Sequence, residues 1–181
     1  MNHLGTVPIE TKRLLLRRYR VEDAEDAYRN WLSREAVARY LTWPVYTSVE
    51  AARGYIQSVV DGYSDTSYIW VIEEKSSGEA IGAISVVALM EKIDGCEIGY
   101  CLSDSRWGRG YMPEAFAAVI CYLFDEVGFN RIQAIHDTRN PTSGRVMEKC
   151  GLRYEGTMRR AGRNNQGIGD VVIRAILRDD K

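Results

Sequence analysis

The stretch that decides the fold is Ser105–Val119, SRWGRGYMPEAFAAV. It follows the strand-like segment GCEIGYCL and leads at once into apolar residues at helical spacing, which predicts a strand-to-helix turn. Gly108 and Gly110 carry no Cβ, so backbone N–H groups at the positive end of the helix stay open to an anion. The two arginines of the stretch add charges that can reach phosphate oxygens. The stretch therefore predicts either an ordinary solvated turn or an anion-binding cradle of N–H groups from about residues 108–112.

The spacing of this stretch excludes two familiar phosphate-binding loops. It has no GxxxxGKS/T, and it lacks the third glycine of GxGxxG. Pro113 suits the first position of a helix, and Gly128 suits the position just beyond its end. A helix is therefore predicted from Pro113 to Val127.

Length and composition indicate a single domain over residues 1–181. The chain is 45% hydrophobic and 27% charged, as soluble globular proteins are. No apolar run approaches the roughly 20 residues that cross a bilayer. The N-terminus does not resemble a signal peptide. We therefore expect a cytoplasmic protein without a membrane partner.

Charge and cysteine usage narrow the function classes. The net charge of −1 argues against direct nucleic-acid binding. Residues 106–163 nevertheless carry ten basic and six acidic side chains, so positive charge surrounds the opening stretch. The cysteines have no CxxC spacing and the chain has only two histidines, which argues against any metal site. We expect all four cysteines to be small buried residues: Cys96, Cys101, Cys121 and Cys150.

The order of strand-like and helical patterns predicts an α/β protein of the α+β kind. A mixed, mostly antiparallel central sheet of about seven strands is flanked by helices, and the strand–helix–strand unit around residues 96–136 forms a parallel crossover. The polar segment RRAGRNNQGIGD, residues 159–170, is either a substrate loop or an ordinary mobile hairpin. The predicted strands are KRLLLRRY, SYIWVIEE, EAIGAISVVALM, GCEIGYCL, NRIQAIHD, LRYEGTM and VVIRAIL.

Three blocks of the chain resemble the GNAT acetyltransferase superfamily and, within it, the RimJ/RimL-like branch. The blocks are IETKRLLLRRYRVEDAEDAY, CEIGYCLSDSRWGRGYMPEAF and NPTSGRVMEKCGLRYEG, in the family's order. The resemblance covers nearly the whole chain. It implies a GNAT-like sheet, one N-acetyltransferase domain over residues 1–181, and acetyl-coenzyme A as the cosubstrate.

The resemblance also implies which residues hold the cofactor. In this family a Q/R-x-x-G-x-G/A loop binds the pyrophosphate of coenzyme A; here Trp107 stands at its first place, as is common in the branch, and Met112 at its last. The strand Ile98–Leu102 is implied to pair with the pantetheine arm through its backbone. Arg145 is either a phosphate ligand or a solvated residue. The implied cofactor-binding residues are Ile98, Tyr100, Leu102, Trp107, Gly108, Arg109, Gly110, Tyr111, Met112, Asn140, Ser143 and Arg145.

Acetyl transfer to an amine requires a base for the amine, a donor for the oxyanion and a proton for the leaving thiolate. Strand alternation places Glu97 on one face with Gly99 and Cys101, whose small side chains leave it beside a cleft. Several superfamily members carry a basic Glu at this place. Glu97 is therefore the candidate base, and a solvent-facing strand residue is the alternative.

The chain departs from the ribosomal branch at one catalytic position. The branch's base falls on Gly162, so that acid is missing, and Glu155 and Asp170 are nearby acids with weaker claims. Ser143 matches the Ser of N-x-x-S, which is proposed in the branch to protonate the thiolate, although Ser at this place also serves a helix start. Many family members use a Tyr that corresponds to Met147 here.

Together these residues predict an acetyl-coenzyme A-dependent N-acetyltransferase that transfers acetyl directly to a protein N-terminal amine, as ribosomal-protein acetyltransferases do. An α-amino group has a pKa near 7.7–8.0, against about 10.4 for lysine, so a modest base suffices. One alternative is a small amine acceptor such as a polyamine, amino acid or antibiotic; another is a non-catalytic coenzyme A-binding module. A homodimer is left open.

Overall fold

A computed structural model describes the chain from Met1 to Lys181. Its strands are β1 (Ile9–Glu10), β2 (Leu14–Arg17), β3 (Ile69–Glu74), β4 (Ala80–Met90), β5 (Gly95–Leu102), β6 (Arg131–Asp137), β7 (Arg153–Asn164) and β8 (Gly167–Leu177). They form one eight-stranded sheet in the order β1-β2-β3-β4-β5-β6-β8-β7. Only β5 and β6 pair in parallel, so the predicted mixed, mostly antiparallel sheet is confirmed.

Helices cover both faces of the sheet. They are α1 (Ala24–Ala27), α2 (Glu35–Ala38), α3 (Val49–Asp61), α4 (Tyr111–Tyr122) and α5 (Pro141–Lys149). The apolar faces of α4 and α5 join the larger hydrophobic core on one side, while α1, α2 and α3 build a smaller core on the other. Helices α1 and α4 each run on into a π-helical turn, at Tyr28–Leu32 and Leu123–Val127. No helix has the length and apolar character needed to span a bilayer.

Local sequence signals explain where these helices begin and end. Ser48 caps α3, its Oγ accepting the Ala51 N–H at 3.1 Å. Helix α4 starts two residues before the predicted Pro113, because Gly110 at its N-cap takes φ = 77°. Gly128, at φ = 92°, ends the following turn as predicted.

Three features differ from the sequence prediction. The two-residue strand β1 is an eighth strand that no pattern of such length could signal. The segment 159–170 is mostly strand, because β7 and β8 extend until only Asn165 and Gln166 connect them. Cys121 is exposed, whereas Cys96 is buried and Cys101 and Cys150 are half-buried. The prediction that all four cysteines are buried was therefore wrong for Cys121, which lies on the solvent side of α4.

The sheet opens between its two parallel strands. Pairing of β5 with β6 runs from Gly95 opposite Arg131 to Ile98 opposite Ala134 and then stops. Strand β5 continues to Leu102, paired there only with β4. The backbone edge of β5 from Gly99 onward therefore faces an opening rather than another strand.

Candidate active site

The opening between β5 and β6 leads into a cavity of about 670 Å³. One half of its wall is formed by the end of β5, the 107–112 loop and the start of α5. The other half is formed by the chain around α2 and by the β7–β8 hairpin. We call the first the cofactor half and the second the acceptor half.

Most of the predicted site residues line this cavity. Those that do are Glu97, Ile98, Tyr100, Leu102, Trp107, Gly108, Gly110, Tyr111, Met112, Asn140 and Ser143. Arg109 and Arg145 do not. The Arg145 guanidinium instead donates to the Thr142 hydroxyl on its own helix, 2.9 Å away, which corresponds to the solvated alternative for this residue.

The 107–112 loop presents unused backbone donors at the start of α4. The N–H groups of Gly108, Arg109 and Gly110 have no acceptor within the protein. Gly108 and Gly110 both adopt positive φ, at 74° and 77°, a geometry that turns neighbouring N–H groups toward one concave side. These donors lie at the positive end of the helix dipole, so the loop has the properties of an anion cradle.

The loop is held by a residue that sequence analysis missed. Arg13, on the turn before β2, donates to Glu114 Oε2 at 2.6 Å and to the Arg109 carbonyl at 2.9 Å. Its guanidinium also lies 4.2 Å from the centre of the Tyr111 ring. Glu114 additionally accepts from the Thr11 hydroxyl at 2.7 Å and from the Arg13 N–H at 2.9 Å. The anion cradle is therefore fixed to the edge of the sheet before any ligand arrives.

Arg106, which the sequence offered as a charge for phosphate, is already paired within the protein. Arg106 forms ion pairs with Glu74 at 2.9 Å and Glu79 at 3.0 Å, so it is not a mobile charge awaiting phosphate. Tyr111 likewise turns its hydroxyl to Glu74. The hydrogen bond from Tyr111, with others from Ser77 and Arg106, lowers the pKa of Glu74 despite its burial. The Tyr111 hydroxyl is therefore already engaged within the protein.

Ser143 lies at the start of α5, where Asn140 is the N-cap. The Asn140 side chain accepts the Ser143 N–H at 3.4 Å, a long hydrogen bond. The Tyr100 hydroxyl donates to the Ser143 carbonyl at 2.9 Å and also lies 2.9 Å from Ser143 Oγ. Burial raises the pKa of Tyr100 well above its ordinary value, so its phenol stays protonated. A hydroxyl pair therefore joins β5 to α5 beside the cavity.

Glu97 lies on β5 in the part that still pairs with β6. Its neighbour across the strands is Gln133, whose side-chain amide donates to Glu97 Oε2 at 2.9 Å. The carboxylate is half-buried and lines the cavity. Gln133 fixes one carboxylate oxygen and leaves the other available to accept a proton.

The second carboxylate of the cavity wall, Asp137, was not predicted. It is bound by the Arg139 guanidinium at 2.9 and 2.7 Å and by the Asn164 amide at 2.8 Å. These hydrogen bonds, the one from the Arg139 side chain foremost, hold the pKa of Asp137 well below its usual range. Asp137 is therefore a structural anion that joins β6 to the end of β7, and it is a poor base.

A side chain at the position of the missing ribosomal-branch base would require Val171 to move. A Cβ at Gly162 would lie 2.4 Å from Val171 Cγ1, closer than side-chain atoms pack. Glu155 and Asp170, the two other acids that the sequence offered as bases, do not line the cavity. Glu155 pairs with Arg131, and Asp170 accepts the Arg160 N–H at 2.8 Å. Glu97 is thus the one cavity carboxylate without an ion-pair partner.

The cavity fits a ligand with an extended polar arm and a pyrophosphate. The free edge of β5 offers backbone groups to the arm, and the loop offers unused N–H donors to the phosphates. Such a pairing of features suits a coenzyme A-dependent acyltransferase.

Comparison with known proteins identifies the family. A model of the GNAT acetyltransferase domain matches residues 13–153, and the chain belongs to this family. It is 33% identical to the uncharacterized N-acetyltransferase YoaA of Bacillus subtilis over 171 residues, which are 94% of this chain and 96% of that protein. It is 27% identical to the ribosomal-protein-serine acetyltransferase of Escherichia coli, covering 84% and 83% of the two chains.

Solved structures agree with the fold. The crystal structure of a GNAT-family acetyltransferase from Bacillus anthracis superposes with a TM-score of 0.84 at 26% identity, covering 96% of this chain and 99% of that chain. The chain is accordingly an N-acetyltransferase whose acetyl donor is acetyl-coenzyme A, which supplies the acetyl group as a thioester. The residues described above would hold that donor through the loop and the β5 edge.

Proposed function

We propose that this N-acetyltransferase acetylates the α-amino group at the N-terminus of a protein. The observation that carries the proposal is the state of the two cavity carboxylates. Asp137 is neutralised by Arg139, and only Glu97 is left to take a proton from the acceptor. One half-buried carboxylate is a modest base, which suits an amine of pKa near 7.7–8.0 better than a lysine or a polyamine of pKa near 10.

Each group in the site has a role under this proposal. Glu97 accepts the proton of the bound amine, and Gln133 holds the carboxylate in position. Ser143, whose hydroxyl contacts that of Tyr100, gives a proton to the leaving thiolate on the cofactor side of the cavity. The 107–112 loop holds the phosphates away from the reacting end, because its N–H donors lie at the far end of the β5 edge. The likeness to the ribosomal-protein-serine acetyltransferase supports the same acceptor class.

A small-amine acceptor is the second candidate, and one observation is as compatible with it as with the free N-terminus of a chain. The acceptor half of the cavity is bridged by Asn165, which donates to the carbonyls of Ala38, Leu41 and Trp43. A bridged pocket admits a small molecule or the free end of a chain more readily than a side chain within a folded surface.

The test is acetyl transfer to a matched set of amines. A peptide with a free N-terminus is compared with the same peptide blocked by formylation, and both with spermidine, thiol release and the mass of the acceptor being measured. We expect acetylation of the free peptide at its first residue only. Turnover of spermidine but of no peptide would overturn the proposal in favour of a small amine. Binding of coenzyme A by calorimetry without turnover of any amine would favour a non-catalytic module.

A further inference from the structure

Four apolar side chains on the sheet face that carries Glu97 belong to neither hydrophobic core. Val87 and Met158 are 58% and 41% exposed, and Ile135 and Ile173 are half-buried. We call this set the apolar strip: Val87, Ile135, Met158 and Ile173. Apolar side chains left open beside a cavity are typical of a binding surface.

Ile135 lies on the same face of the sheet as Glu97. Gln133 is opposite Glu97 in register, and its side-chain amide donates to the Glu97 carboxylate at 2.9 Å. Side chains alternate along β6, so Ile135 shares the face of Gln133, while Ala134 between them points into the larger core. Pairing of β5 with β6 ends at Ala134, which leaves Ile135 at the edge of the opening, where it lines the cavity.

Ile173 and Met158 continue the apolar strip across the next two strands. Ile173 is the cross-strand partner of Ile135, and Met158 is the partner of Val171, which precedes Ile173 by two residues on β8. Cross-strand partners share a face of the sheet, and so do residues two apart on one strand. Met158 lines the cavity, as Ile135 does. The strip therefore runs from the opening to the outermost strand, β7.

Val87 bounds the apolar strip on the other side of the opening. The register of β4 on β5 shifts between Val86 and Ala88, and Val87 is the extra residue. A Cβ added at Gly99 would lie 2.8 Å from Val87 Cγ1, so the valine side chain covers Gly99. Gly99 follows Glu97 by two residues and faces the same way. Apolar groups therefore flank the opening on both of its sides.

The charged groups at either end of the apolar strip on β6 are already paired within the protein. On one side Arg131 binds Glu155 and donates to the Gln133 side-chain oxygen at 3.1 Å. On the other side Asp137 pairs with Arg139 at 2.7 Å. A polar side chain placed between these pairs would lose water and find both of them occupied.

We propose that the first residue of the acceptor carries a large apolar side chain, such as that of Leu or Met, and that the apolar strip binds it. The inference rests on the proposed function, because it describes the residue that bears the reactive amine in the same site. Its side chain branches from the carbon that carries the amine, so an amine at Glu97 brings the side chain onto the neighbouring surface. Removal of apolar area from water on both partners then favours the complex. The strip spans three strands, which is wider than the methyl group of Ala.

The experiment compares peptides that differ only in the first residue. Leu is compared with Asn, which has the same branched shape but is polar, and with Ala, which is apolar but small. All three peptides have a free N-terminus and are tested with the unaltered chain, with Ile135→Thr, with Met158→Gln and with Ile168→Thr. The first two variants place polar atoms in the apolar strip. Ile168→Thr is the control, because Ile168 is an exposed apolar residue of β8 that does not line the cavity.

We expect kcat/KM to be about tenfold higher for the Leu peptide than for the other two, mainly through KM, because a buried apolar side chain is the only difference. Ile135→Thr and Met158→Gln should each reduce this preference severalfold, with coenzyme A affinity unchanged by calorimetry. Ile168→Thr should leave the preference intact. Equal turnover of the three peptides, a preference for Asn or Ala, or a Leu preference that neither strip variant alters overturns this inference and leaves the proposed function standing. Turnover of spermidine without turnover of any peptide, or turnover of no amine at all, overturns both.

Discussion

The hydroxyl oxygens of Tyr100 and Ser143 lie 2.9 Å apart, joining β5 to the first turn of α5. Tyr100 also packs against Phe116 of α4, with ring centres 5.4 Å apart, so the phenol ring is held against the hydrophobic core. Its orientation limits the rotation of the Ser143 hydroxyl. The pair thus connects the rigid core of the sheet to the proposed proton donor.

Tyr100→Phe should lower kcat by roughly tenfold while leaving coenzyme A affinity nearly unchanged, because it frees the Ser143 hydroxyl without altering the cavity wall. The double variant with Ser143→Ala should be no slower than Ser143→Ala alone, since the two hydroxyls act as a unit. Steady-state kinetics and calorimetry measure both quantities. Tyr63→Phe is the control, since it removes a half-buried hydroxyl outside the cavity. Additive effects of the two cavity variants would show that Tyr100 does not act through Ser143.

Glu97→Gln should reduce turnover by about 10²-fold or more, the usual contribution of a positioned base, with little change in coenzyme A affinity. The deficit should shrink as pH rises above about 8, because the free α-amine then loses its proton without help. Initial rates between pH 6 and pH 10, roughly two units either side of the amine pKa, measure this. Glu91→Gln is the control, since Glu91 is exposed, does not line the cavity and takes no part in the hydrogen bonds that link Arg131, Gln133 and Glu97. A Glu97→Gln variant as active as the parent at neutral pH rules Glu97 out as the base.

Gly110→Asp should weaken coenzyme A binding well beyond the effect of Gly110→Ala. Both variants strain a backbone at φ = 77°, but only Asp places a negative charge in the anion cradle. The nearest atom to a new Cβ is Arg13 Nη2 at 3.5 Å, so there is room for the side chain. We expect at least a tenfold difference between the variants in calorimetric Kd, about 1.4 kcal/mol. Equal affinities for Asp and Ala would mean that the loop does not hold the phosphates.

The parts of the molecule that follow from short-range signals were predictable. Pro113 and Gly128 marked the start and end of the helical segment that begins with α4 to within two residues, and the strand–helix–strand order required a parallel crossover. The anion cradle followed because its N–H donors come from consecutive residues. The two strands of the β7–β8 hairpin were predicted, but too short, because the residues by which they extend beyond Met158 and before Val171 are mostly polar or glycine and lack the alternation by which a half-buried strand is recognised.

The parts that depend on residues far apart in sequence were not predictable. Arg13 meets Glu114 across 101 positions, and Asn164 meets Asp137 across 27. Nothing in the local pattern shows that Arg106 forms an ion pair with Glu74, or that a side chain at position 162 would come too close to Val171. Charge alone therefore identified the basic segment correctly but assigned the wrong task to one of its arginines.

Glu114→Gln should lower stability at neutral pH by about 1–2 kcal/mol, because it weakens the charge-assisted hydrogen bonds from Thr11 and Arg13. Burial alone would raise the pKa of Glu114, but these hydrogen bonds bring it below the ordinary 4.5. A carboxyl whose pKa is depressed on folding contributes stability above the unfolded value and loses it as pH falls through the folded value. Urea unfolding should therefore show a steeper loss of stability below pH 4.5 in the parent than in Glu114→Gln.

The control for that measurement is Glu126→Gln, which alters an exposed glutamate at the far end of the same helical segment that has no ion-pair partner. It should change neither the stability at neutral pH nor the slope. A Glu114→Gln variant that behaves in the same way would show that the hydrogen bonds of Glu114 with Thr11 and Arg13 contribute nothing to folding stability.

The contact between His136 and Gly144 predicts that the effect of Gly144→Ala on the free energy of unfolding changes sign when His136 is replaced by Ala. His136 Nδ1 lies 2.9 Å from the Asp137 carbonyl, while Nε2 is buried without a partner. A Cβ added at Gly144 would lie 2.6 Å from Nε2. Ala ordinarily stabilises a helix interior by about 1 kcal/mol relative to Gly, but here the collision should cost roughly 1–3 kcal/mol. Gly144→Ala should therefore destabilise the parent and stabilise His136→Ala, as measured by urea unfolding. The same sign in both backgrounds would show that the imidazole does not determine the need for glycine at this position.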